Sequence, residues 1–287
     1  MADRRRAHPA NVPGDFFVDT TCIDCPTCRQ IAPATFGAAD DQAVVLRQPA
    51  DAAERQRALM GLVSCPVGSI GGPPRVDVRP AIAALPEPIA DDVYACGFAS
   101  PASFGAHSYF IRRAEGNVLV DSPRFTEPLA RRLASFGGIR FMFLTHRDDV
   151  ADHAKFHRRF GCERIIHEAE LSDGLRALER PLTGDGPWTL APDLRVIATP
   201  GHTRGHTVLL YRETFLFTGD HLWWDGERLA ASREYNWWSW DEQLASIEKL
   251  RGEPFAWVLP GHGYRHQAAP ARMQAALADG LARLRGR

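Results

Sequence analysis

Three cysteines set three residues apart, Cys22, Cys25 and Cys28, and a fourth that follows after 36 residues as Cys65-Pro66, constrain this chain more than any other feature. Clustered cysteines can be read as a disulfide framework. A chain of 287 residues that is 45% hydrophobic buries its own core, however, and needs no staples. Thiols at intervals of three therefore favour a metal or a cluster, and zinc would usually show two separated pairs. The other two cysteines, Cys96 and Cys162, stand alone in apolar or mixed surroundings and read as small buried hydrophobes.

The pattern Cys-x2-Cys-x2-Cys with a distant Cys-Pro resembles the bacterial ferredoxin run of 4Fe-4S centres. In two-cluster ferredoxins a further Cys follows the third closely; here none does. Residues 11–72 thus look like a single-cluster ferredoxin-like domain, a small α+β fold, and Cys65-Pro66-Val67-Gly68-Ser69-Ile70 is similar to its closing segment. The resemblance implies that Cys22, Cys25, Cys28 and Cys65 hold the cluster. With Cys25 present, a four-iron cluster is expected over a three-iron one.

Residues 73–92 hold Pro73, Pro74, Pro80, Pro86 and Pro88 with Gly71 and Gly72 just before them, which suits an extended linker. From residue 93 to 287 the pattern changes. Short apolar or alternating runs predict strands at Val93–Phe98, His107–Ile111, Val118–Val120, Ile139–Leu144 and Arg164–Ile166, then at Leu194–Ala198, Thr207–Tyr211, Phe215–Thr218 and Phe255–Leu259. Apolar residues three and four apart predict helices at Thr126–Phe136, Asp149–Phe160, Trp240–Leu250 and Ala269–Leu284. Strands mixed with helices at this frequency mean an α/β or α+β layered domain.

Polar segments follow the predicted strands. They are Thr145-His146-Arg147-Asp148-Asp149-Val150-Ala151-Asp152-His153, Thr199-Pro200-Gly201-His202-Thr203-Arg204-Gly205-His206, Thr218-Gly219-Asp220-His221 and Pro260-Gly261-His262-Gly263. Imidazole and carboxylate are ligands for Zn, Fe or Mn, and loops at a sheet edge can bring distant segments together.

These motifs resemble the metallo-β-lactamase superfamily across about Val93 to Arg287. The resemblance implies an αββα sandwich with one or two metal ions at one edge, and it gives Asp121 a supporting role. Metal one would take His146, Asp148 and His202; metal two would take Asp152, His153 and His262; Asp220 would bridge. The first motif departs from the family's His-x-His-x-Asp-His. Asp148 stands where the second His belongs, and two extra residues precede Asp152-His153. Asp149 is the alternative to Asp148. A carboxylate in place of an imidazole shifts preference from zinc toward iron or manganese, with zinc still admitted.

His206, His221 and His266 adjoin these motifs as neighbours of ligands, whereas His8, His107, His157 and His167 read as surface or packing residues. Five of seven tryptophans, Trp223, Trp224, Trp237, Trp238 and Trp240, follow the bridging aspartate with Arg233 and Tyr235 among them. They read equally as a pocket wall and as core.

The expected function is a hydrolase using metal-activated hydroxide on an ester, thioester, lactone or related bond, with Asp152 orienting the hydroxide and handling its proton, as the resemblance implies. The alternative is an oxidoreductase in which the cluster feeds electrons to a non-haem iron site. The cluster's own role stays open between electron transfer, sensing and structure. Expected partners are a small-molecule substrate and a redox protein. Lys+Arg 34 against Asp+Glu 35 argues against nucleic acid. Neither a long apolar run nor a hydrophobic stretch behind Met1–Arg6 suggests a membrane or export, so the cytoplasm is expected.

Overall fold

The computed structural model describes residues 2–286, and the chain divides into two compact units of mixed helix and strand. One runs through Phe141 and takes in Ala151–Cys162; the other is Met142–Val150 with the chain from Glu163 onward. Among the described residues, no helix is long and apolar enough to cross a membrane.

The first unit begins with a small α+β module. Its hairpin pairs Phe36–Ala39 with Gln42–Val45 through Asp40 and Asp41, both at positive φ, a conformation short polar side chains tolerate. Phe17–Val18 pairs antiparallel with Ile70–Gly71. Helix Ala52–Ser64 starts on a reciprocal cap, Asp51 accepting from Glu54 N while the Glu54 carboxylate accepts from Ala50 N. It buries Ala58, Leu59, Met60 and Gly61. The Asn11 side-chain oxygen accepts from both Val18 N and Val45 N, so the chain ahead of Val18 is tied into this module.

The expected linker, residues 73–92, is not simply extended. It contains helix Arg79–Ala83 and strand Glu87–Ala90, the latter paired with Val93–Ala95. Pro80 sits in the helix's first turn, where a missing N–H costs little, and Pro88 lies on the strand at the end of its sheet. Proline content alone could not distinguish these tolerated positions from a true connector. Beyond it Val93–Ala95, Tyr109–Ile111 and Val118–Val120 form an antiparallel meander. Helix Glu127–Ser135 follows, capped by Thr126. The helix predicted from Asp149 starts only at His153 and ends on Gly161 at φ +64°.

The second unit centres on a six-stranded sheet in the order Trp188–Ala191, Leu194–Ala198, Thr207–Tyr211, Phe215–Gly219, Trp257–Pro260, His266–Gln267. Every residue of Thr207–Tyr211 and Phe215–Gly219 is buried, as central strands require. Ile197, Val208, Leu210, Leu216 and Val258 share a core with Ile247 and Leu250, and with Met273, Leu277, Leu281 and Leu284 of helix Pro270–Arg285. That helix therefore packs an ordinary amphipathic face on the sheet.

Candidate metal centre

Strand direction gathers the polar segments of the second unit. Leu194–Ala198 runs antiparallel to Thr207–Tyr211, which runs antiparallel to Phe215–Gly219, which is parallel to Trp257–Pro260. The end of the first, the start of the second and the ends of the other two therefore fall on one edge. His202, His206, Asp220, His221 and His262 follow there. The His146 loop is fastened to the same edge, because Thr207 N and Thr207 Oγ1 both donate to Thr145 O at 2.9 and 3.3 Å.

Two groups result, each offering ligand atoms within 4.8 Å of one another: His146, His202 and Asp220, and Asp149, Asp220 and His262. Asp220 Oδ2 stands 3.7 Å from His146 Nε2, 3.8 Å from His202 Nε2 and 3.6 Å from His262 Nε2. Asp148 Oδ2 joins the first group, 3.8 Å from His146 Nε2 and 3.5 Å from His202 Nε2. Both imidazole nitrogens are buried without a hydrogen bond. Two atoms each about 2.1 Å from a shared tetrahedral centre would lie about 3.4 Å apart, so these spacings fit a cation between them.

The backbone is shaped around the groups. A Cβ on Gly261 would stand 2.6 Å from Asp220 Oδ1 and 2.7 Å from Asp149 Oδ2. Gly219 adopts φ +48°, and a Cβ there would meet Thr145 Oγ1 at 2.5 Å. Thr145 Oγ1 lies 3.0 Å from His146 Nδ1, and Thr199 Oγ1 lies 3.0 Å from His206 Nδ1. The first contact fixes the His146 ring and leaves its Nε2 for a ligand bond; the second holds the His206 ring behind it.

Charge follows geometry. The His202 imidazole beside Asp148 lowers that carboxyl below its usual range. Burial would raise Asp220, but His262, His146 and His202 hold it low. Burial would likewise depress His202, yet Asp148, Asp220 and the Tyr235 carbonyl that accepts from it keep it raised. His146 is lowered, chiefly by burial. Behind the ligands His206 and His221 stack at 5.4 Å, fully buried, and burial pushes His221 down to about 3. His266 stacks on Trp224 at 3.7 Å.

Of the residues expected at the site, His146, Asp148, His202, Asp220 and His262 come together in this unit, and Asp149 joins Asp220 and His262 rather than replacing Asp148. Asp152 and His153 belong to the other unit, where Asp152 accepts from Phe125 N at 2.7 Å and pairs with Lys155. Adjacent aspartates look alike in sequence; only the turn decides which group each enters. Asp121 ends its strand buried, at φ +55°.

The tryptophan segment divides. Trp224 and Trp240 pack against the core, while Tyr235, Trp237 and Trp238 are exposed. The exposed part is bound to the His202 loop: Trp237 N donates to His202 O, Ser239 N to Gly201 O and Asn236 Nδ2 to Gly201 O. The Arg204 guanidinium lies over the Trp238 ring.

In the first unit Cys22, Cys25, Cys28 and Cys65 line one recess with apolar neighbours Val18, Ile23, Val67 and Ile70. Ala43 N donates to Cys22 Sγ at 3.3 Å, and Cys65 Sγ lies 3.4 Å from Ser69 Oγ. Gly105 seals one side, since a Cβ there would be 3.0 Å from Cys25 Sγ. Four thiols around one recess fit a cubane cluster.

Comparison with known proteins agrees with both regions. Residues 18–72 match the family model described as the 4Fe-4S single cluster domain of Ferredoxin I. Among curated proteins, hydroxyacylglutathione hydrolase of Rhodospirillum rubrum is 33% identical over 164 residues, 54% of this chain and 61% of that protein. The chain thus spans less than two thirds of that relative's length. Among solved structures, a metallo-β-lactamase from Pontibacter korlensis superposes with a TM-score of 0.55 at 18% identity, covering 70% of this chain and 98% of that one. The metallo-β-lactamase FIM-1 from Pseudomonas aeruginosa, in its mono-zinc form, gives 0.52 at 16%, covering 68% and 93%. At these identities the likeness is one of fold: the chain has the metallo-β-lactamase fold, preceded by a ferredoxin-like domain.

Proposed function

We propose that this protein is a metal-dependent hydrolase of thioesters or related acyl bonds, with a 4Fe-4S cluster in its N-terminal domain. One observation carries the reading: Asp220 lies between two groups of imidazoles and carboxylates at a single sheet edge. When bound, a divalent pair there supplies a deprotonated water at neutral pH and polarises an acyl oxygen. His146, Asp148 and His202 would hold one ion, Asp149 and His262 the other, and Asp220 both. The hydroxyacylglutathione hydrolase relative supports a thioester as the scissile bond. Exposed Trp237 and Trp238, fastened to the His202 loop, supply a flat apolar wall for the acyl group, and Arg204 a cation beside it. Free thiols and a cluster suit a reducing cytoplasm, with a small-molecule substrate and a redox protein as partners and neither nucleic acid nor membrane.

The test is hydrolysis of acyl thioesters by anaerobically purified protein. His202→Ala and Asp220→Asn are expected to reduce turnover to background while the cluster's visible absorbance persists. Retained turnover in either variant defeats the reading. Asp148 beside His146 and His202 favours a second reading, since a harder donor set suits iron. Six irons per chain with reductant-dependent oxygen consumption would select this oxidoreductase; four irons and two zincs select the hydrolase.

A further inference from the structure

We propose that Glu170 is a positioning residue that clamps the His146 and His202 loops together and so sets the spacing of the first ion's ligands. This rests on the metal reading above.

Glu170 is 0% exposed, at the end of the single helical turn Glu168–Glu170. A buried carboxylate is costly unless both oxygens find donors. Here Oε2 accepts from Arg147 N at 3.0 Å and Oε1 accepts from Gly205 N at 2.6 Å. Arg147 directly follows His146, and Gly205 lies three residues after His202. One side chain therefore joins two loops that are 58 residues apart, from Arg147 to Gly205. Arg147 Nε, 3.4 Å from Oε2, supplies the compensating charge. The clamp is itself anchored, since His167 Nδ1 accepts from Ala169 N and His167 Nε2 lies 2.9 Å from Gly184 O. Gly205 leaves no slack: a Cβ there would stand 2.7 Å from His167 Nδ1 and 3.0 Å from Glu170 Oε1.

A carboxylate accepts on both oxygens, whereas an amide sets its NH2 against one of the two N–H groups. Glu170→Gln preserves volume but opens one side of the clamp. Outer partners of ligands typically control metal affinity by about 10–100-fold. Gly205→Ala displaces the carboxylate from the opposite side without removing it.

The experiment uses the full chain with its cluster, stripped of divalent ions and titrated with Zn2+ against a competing chelator. The EPR signal of bound Co2+ and thermal unfolding of the stripped protein are recorded in parallel. Glu170→Gln is expected to weaken binding of the first ion about 10–100-fold and to alter the Co2+ signal while the stripped protein, although melting below the parent because one buried N–H loses its acceptor, stays fully folded at the titration temperature. Gly205→Ala should move both readouts the same way. Parent-like affinity and Co2+ signal in Glu170→Gln overturn the clamp; if that variant does not fold, the same result in Gly205→Ala overturns it. A parent chain that binds no ion removes the metal reading and the clamp with it, whereas a parent that binds while both variants match it removes the clamp alone.

Discussion

The thiol recess and the sheet edge both gather ligands, but they do so in opposite electrostatic conditions. In the recess, burial pushes the Cys25 thiol up to about 11, with the Cys65 thiol adding to it, and burial likewise holds Cys28 well above the ordinary thiol range. The other walls are largely apolar and offer little charge to replace the protons. At the sheet edge imidazoles and carboxylates already face one another, so Asp148 and Asp220 are held low and His202 is held up before any ion is considered. The first arrangement would gain its charge balance only on binding, so binding there is expected to be coupled to folding. The second is built into strand ends and tight glycine turns.

The comparison breaks most sharply if the two regions respond alike to loss of a ligand. Cys28→Ser is expected to abolish the cluster's visible absorbance and to leave amides up to residue 72 exchanging fast with solvent. Divalent ions at the sheet edge should be retained, as metal analysis with hydrogen exchange will show; slow exchange throughout would mean that the recess too is preformed.

A smaller and more local effect is expected from Gly261→Ala, whose new Cβ would press on Asp220 and Asp149. The variant should fold but lose one divalent ion per chain. Asp149→Asn should do the same, and two ions retained in Asp149→Asn would exclude Asp149 as a ligand.

The smallest effect concerns the rim. Trp237→Ala is expected to raise KM for aryl or long-chain acyl thioesters by up to about tenfold, the scale of an aromatic contact of about 0.5–1.5 kcal/mol. It should leave kcat and the hydrolysis of acetyl thioesters near the parent. An equal change for both substrate types would show that Trp237 supports the His202 loop and does not sort substrates.

Part of this was legible from spacing. Cys22 and Cys25 precede the short helix Thr27–Ile31 and Cys28 lies in its first turn, so their spacing is local information. Strands Val118–Val120, Leu194–Ala198 and Thr207–Tyr211 appear where apolar runs predict them: the first and third are buried throughout, and Leu194–Ala198 buries Leu194, Val196 and Ile197. Other elements were hidden. Arg79–Ala83 and Glu87–Ala90 lay under prolines whose positions happen to be tolerated, and Trp188–Ala191 is a four-residue strand with no buried residue, too short to show a period of its own. Glu170 has no motif around it, and its role appears only once two loops are seen to meet on its oxygens.

Residue types and their intervals thus determined which chemistry the chain carries: thiols in a tight run, imidazoles and acids at the ends of apolar segments. Tertiary structure decided the partners. Strand direction chose which loops share an edge, the turn after His146 sent Asp148 and Asp149 to different groups, and the backbone of Tyr235 to Ser239 was drawn onto the His202 loop. A sequence records side chains in one dimension, whereas ligand sets, clamps and walls depend on distances closed by strand pairing between residues far apart along the chain.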